Sequence, residues 1–116
     1  MKKRQLLKHK KKVSKECWNM DIAFYEWAEE HLKTYLKDAD KIVDLEFQSF
    51  TIDDKTLTQK AAIVYMTELL EKLHKIRELE PPYDLSMGVK ELDKEFDDTL
   101  QEFGKWWFEV LPAMWW

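Results

Sequence analysis

The segment 86-SMGVKELDKEFDDTLQEFGKWWFEVL-111 decides the fold. Its apolar residues recur as Val89, Leu92, Phe96, Leu100, Phe103, Trp107 and Val110. Steps of three and four trace one side of an α-helix. Glu91, Glu95, Asp98 and Glu102 form an acidic row on the opposite side with the same spacing. At ~1.5 Å per residue, about 26 residues span ~39 Å, the full length of a small domain. The apolar side needs cover from other helices, so the rest of the chain is expected to be arranged around this one. Gly104 interrupts good helix formers at a cost of roughly 1 kcal/mol relative to Ala. It predicts either a close backbone approach or a bend. Pro112 removes an amide donor and ends the helix near Leu111.

Working back from this helix, Pro81-Pro82 closes an earlier one, and Asp84 or Ser86 can cap the long one. The earlier helix covers residues 59–79, with Thr58 as its N-cap. Ala62, Met66, Leu69, Leu70, Leu73 and Ile76 line its apolar side. Glu68 with Lys72, and Glu71 with Lys75, fit the i,i+4 spacing of helical ion pairs. The short connection makes these two helices antiparallel neighbours. A further helix covers residues 16–37. Trp18, Ile22, Tyr25, Leu32 and Leu36 mark one stripe on it, and Phe24, Ala28, His31 and Tyr35 a second, with Trp27 adjoining. So wide an apolar arc predicts cover on two sides.

Between residues 41 and 58 the spacing changes. Val43, Leu45 and Phe47 alternate with polar residues, and so do Phe50 and Ile52. Asp53-Asp54-Lys55 can turn the chain into Thr56-Leu57-Thr58. This favours a short β-hairpin over a short helix from Asp38 to Phe50. The expected fold is therefore all-α or mostly α: an antiparallel bundle of three long helices, with a hairpin or short fourth helix between the first and second. Its core is expected at Ile22, Leu32, Met66, Leu69, Leu73, Val89, Leu92, Phe96 and Phe103.

Charge divides the chain differently. Residues 1–15 carry eight Lys/Arg and no acid, while the remainder carries eleven against 23 Asp/Glu, a balance of −12 within a net −4. A basic flexible arm (1–15) on a single acidic helical domain (16–116) is the expected organisation. The arm suits contact with nucleic acid, although no aromatic interleaves with its lysines. A single cysteine, Cys17, rules out an internal disulfide, and no apolar run reaches the ~18 residues of a membrane span. Leu6-Leu7 is too short for a signal-peptide core. A cytoplasmic location is expected.

Glu68-x-x-Glu71 and Glu95-x-x-Asp98 supply the one enzyme-like pattern. It resembles the ExxE…ExxD signature of the all-α nucleotide pyrophosphatases, the MazG-like and dimeric dUTPase group. The resemblance implies magnesium held by Glu68, Glu71, Glu95 and Asp98, and hydrolysis of a nucleotide between its phosphates. Helical spacing sets these acids opposite the apolar stripes, facing outward, so the residues themselves favour a protein without catalysis, metal or cofactor. The expected function is protein–protein interaction or self-association, as an inhibitor or adaptor. Two surfaces are candidates: the acidic row Glu91, Glu95, Asp98 and Glu102, and the tryptophan-rich C-terminus with Trp106, Trp115 and Trp116. Trp107 fits the core side, and Trp106 is turned about 100° from it, toward the flank. Acidic rows dock on basic grooves, and exposed indoles bury large areas at interfaces.

Overall fold

The computed structural model describes residues 3–17, 20–78 and 89–114. In chain order the elements are α1 (Lys3–Glu16), α2 (Met20–Ala39), β1 (Ser49–Ile52), β2 (Lys55–Thr58), α3 (Gln59–Glu78) and α4 (Val89–Val110). A 3-10 turn, Leu111–Ala113, follows α4 and contains Pro112. The fold is mostly helical, with α2, α3 and α4 packed as a three-helix arrangement and the hairpin inserted between α2 and α3.

α3, rather than α4, is the helix the others surround. It lies against both α2 and α4. Ala62, Ile63, Met66, Leu69, Leu70 and Leu73 are all buried on it, an arc too wide for one neighbour. Of the expected core, Leu32, Met66, Leu69, Leu73 and Phe103 are buried, and Ile22 and Phe96 are half-buried. The side chains of Val89 and Leu92 lie outside those described.

Each end of the hairpin has a local cause. β1 and β2 pair antiparallel, Phe50 opposite Leu57 and Thr51 opposite Thr56. The two threonine hydroxyls share a hydrogen bond of 2.9 Å. Asp53 and Asp54 form the two-residue turn with φ of 48° and 67°. Positive φ at both central positions matches the right-handed twist of the strands, and Asp tolerates it better than most residues. Phe50 then fastens the hairpin to the helical core.

Residues 43–47 are not a strand, despite their alternation. The N-terminus of α3 claims this loop. Gln59 N–H donates to the Gln48 carbonyl and Lys60 N–H to the Leu45 carbonyl, both at 2.9 Å. Ala61 N–H donates to Thr58 Oγ1 at 3.1 Å, so Thr58 is the N-cap. Three of the four amides that a helix start leaves unpaired are thereby satisfied. Leu45 is buried beneath, while Phe47 points into solvent.

The arm is helical. The described side chains of α1 are exposed throughout. The radius of gyration is 17.2 Å, against about 13 Å for a compact chain of this size. Among the described residues, α1 accordingly adds nothing to the buried core of the bundle.

Gly104 has open space around it: a Cβ built there meets nothing within 4 Å. The close-approach reading is therefore excluded. Gly104→Ala should stabilise the fold by about 1 kcal/mol by removing backbone freedom from the unfolded chain. A thermal melt should show a rise of several degrees; a fall would mean that the helix needs glycine there.

Candidate functional site

α2 and α4 meet chiefly through rings. Phe24 packs edge-on against Phe103 and Trp107, at centroid distances of 6.4 and 5.7 Å. Tyr25 meets Phe96 at 6.4 Å, and Trp27 meets Trp107 at 6.5 Å. Aromatic faces and edges carry opposite partial charge, which favours these tilted contacts. Such large side chains hold the two helices apart, and the space between them opens to solvent as a groove.

The groove encloses ≈310 Å³ and is lined by residues including Trp27, His31, Tyr35, Trp107, Leu111 and Met114. Trp27 is 49% exposed and Leu111 40%, whereas Trp107 is only 8% exposed and forms the floor. His31 is exposed instead of sitting in the core. Its ring stacks on Trp27 at 4.0 Å, and its Nδ1–H donates to the Trp27 carbonyl at 2.7 Å. Burial pushes the Tyr35 phenol above its ordinary value, with a hydrogen bond from Gln59 acting the other way. Tyr35 thus stays protonated at neutral pH. Gln59 is itself buried and donates to Tyr35 Oη at 3.4 Å and to the Ala113 carbonyl at 3.3 Å. This one side chain ties α2, the start of α3 and the C-terminal turn together behind the groove.

The sequence marked the chemistry of this surface but not its position. The second aromatic stripe on the first long helix suggested cover on two sides. In the fold, Ala28 and Leu32 are buried while Phe24 and Trp27 remain substantially exposed. Trp106, expected on the flank as an interaction residue, is fully buried at 0% exposure. Its indole Nε1–H donates to Glu102 Oε1 at 3.0 Å, and Tyr65 Oη–H donates to the same oxygen at 3.2 Å. Trp115 and Trp116 lie outside the described residues.

The acidic row is divided by these contacts. Glu91 and Asp98 are exposed. Glu95 pairs with Lys72 of α3 at 3.1 Å, and Glu102 serves the interior. Asp98 and Glu102 also border a cleft of ≈370 Å³ with Lys55 and Lys72. Glu71 pairs with Lys33 of α2 at 3.1 Å. Hydrogen bonds to Glu29 and then to Glu71 hold the Lys33 amine above its ordinary value. Glu71 and Lys72 therefore reach across to α2 and α4 instead of only along their own helix. Glu68 is exposed. No three His, Cys, Asp or Glu side chains gather into a metal-holding group among the described residues.

No family model, no curated protein and no solved structure matches this chain. No helix among the described residues is long and apolar enough to cross a membrane.

Glu102→Ala would leave the buried Trp106 N–H without its acceptor, at a cost of roughly 1–3 kcal/mol. Glu91→Ala, on the same row but exposed, should change stability by less than about 0.5 kcal/mol. Urea denaturation of both variants checks the contrast. Equal losses would mean that Glu102 is not an anchor.

Proposed function

We propose that this chain is a non-catalytic interaction protein, an inhibitor or adaptor that takes apolar side chains of a protein partner into the groove between α2 and α4. One observation carries the reading: a half-exposed tryptophan, Trp27, stands over an apolar floor formed by the nearly buried Trp107. Interfaces draw most of their energy from such rigid indoles in pockets with little competing water. The body as a whole carries a balance of −12, to which exposed Glu91 and Asp98 contribute, and this would speed encounter with a basic partner. The proposed setting is the cytoplasm, in keeping with the single cysteine, which is free and exposed.

The pyrophosphatase alternative draws less support. Two of its four acids, Glu71 and Glu95, are engaged by lysines of neighbouring helices. Magnesium is ordinarily held by one or two carboxylates together with substrate phosphates, and carboxylates already paired with lysines are poorly placed for that.

Capture from native cell extract tests the groove. Trp27→Ala should weaken capture of a specific partner by roughly tenfold or more, while Glu68→Gln, at an exposed site away from the groove, leaves it unchanged. Circular dichroism should report the same helix content for both variants. A Trp27→Ala chain that holds the same partner as strongly would remove the groove from the mechanism.

A further inference from the structure

Exposed apolar side chains form a continuous band from α1 into the groove. Val13 of α1 and Cys17 just after it border a notch of ≈250 Å³ with Met20 and Phe24 of α2. Phe24 stacks beside Trp27 at 6.4 Å, and Trp27 stands on the groove that continues to Leu111. Met20 is 62% exposed, and Leu6 and Val13 extend the apolar surface along the arm. A contiguous apolar surface of this kind on one chain marks an interface.

The band is strongly polarised. At the α1 end lie Lys3, Arg4, Lys8, Lys10, Lys11 and Lys12, all exposed and with no acid among them. Where the band enters the groove, Glu26 and Glu30 flank Trp27 on α2, both exposed, while Lys33 of the next turn is paired with Glu29 and Glu71 and exposed Lys37 lies a turn beyond it. This charge complementarity identifies the occupant. We propose that the band joins two copies of this chain, antiparallel about a two-fold axis, with the basic α1 of each lying across the acidic groove end of the other.

This rests on reading the groove as an interaction surface, and it names the partner. A parallel pairing would set one basic arm against the other. The antiparallel pairing places lysines on carboxylates at both ends while Leu6 and Val13 bring apolar cover to the partner's groove. Such an interface is isologous, so every contact occurs twice. A nucleic acid would satisfy the lysines but leave Leu6, Leu7 and Val13 exposed, and its phosphates would meet an acidic body.

Light scattering on the full chain across a concentration series tests the proposal. The mass should rise from the 14.1 kDa of one chain toward twice that value. Association should weaken roughly tenfold between low and high salt, as screening shortens the reach of the charges. A chain with Lys8→Glu, Lys11→Glu and Lys12→Glu should stay monomeric, and so should one with Glu26→Lys and Glu30→Lys. Mixing the two should restore the doubled mass, because the reversed arm of one then meets the reversed groove of the other while the unchanged arm and groove pair as before. Met20→Glu should prevent association on either background. Circular dichroism confirms that each variant is folded.

A wild-type chain that is monomeric at every concentration would overturn the dimer, and so would a mixture that fails to recover. Loss of duplex DNA or RNA binding on arm reversal, with the mass unchanged, would reassign the arm to nucleic acid. None of these results touches the groove reading, which the Trp27→Ala capture decides separately.

Discussion

The burial of α3 on two sides at once is the constraint from which the rest of the structure follows. Its buried arc from Ala62 to Leu73 is wider than one helix can cover, so α2 takes one side and α4 the other. Burying a full Leu, Ile or Met side chain is worth about 1.5–3 kcal/mol, and six apolar residues of α3 share this arc. With α3 between them, α2 and α4 are left to meet across a gap. Phe24, Tyr25, Trp27, Phe96, Phe103 and Trp107 fill it with tilted ring contacts. Close packing beside α3 and incomplete packing between α2 and α4 are thus two results of the same geometry. The groove lies where the packing is incomplete.

Polar groups then fix the arrangement that burial makes possible. Glu102 accepts hydrogen bonds from Trp106 and Tyr65, joining α4 to α3. Gln59 reaches both Tyr35 and the Ala113 carbonyl, holding the C-terminal turn behind the groove. Apolar surface alone would let the helices slide along one another, since the hydrophobic effect has no direction. Hydrogen bonds to partly buried groups are costly to leave unmade, so they select one register. The surface pairs Lys33–Glu71 and Lys72–Glu95 follow the same two seams, at solvent-exposed positions where ion pairs contribute little.

Charge acts at a longer range. The arm and the body carry opposite balances, and the described side chains of α1 are exposed. The basic helix and the acidic groove end remain exposed together with the apolar band that links them, and the proposed dimer joins all three.

The sequence by itself determined much of what depends on neighbours along the chain, though not the helix over Lys3–Glu16, where a flexible arm was expected, nor the start of α2 at Met20 rather than at residue 16. The spans of α2, α3 and α4, the Thr58 cap, the Asp53–Asp54 turn and the end of α4 before Pro112 are local consequences of periodicity, φ preference and missing amide donors. Tertiary structure alone decided where each helix face went. Periodicity gives the direction of a side chain but not the width of the neighbour it meets, so Trp106, about 100° from Trp107, was directed to the flank although the bundle covers both. Glu102 read as one carboxylate in an acidic row because nothing local reveals that Tyr65, 37 positions away, donates to it. The alternation of Val43, Leu45 and Phe47 suggested a strand, yet the unpaired amides of α3 took the carbonyls of that loop. In each case a contact between residues distant in sequence overrode a pattern that was correct locally.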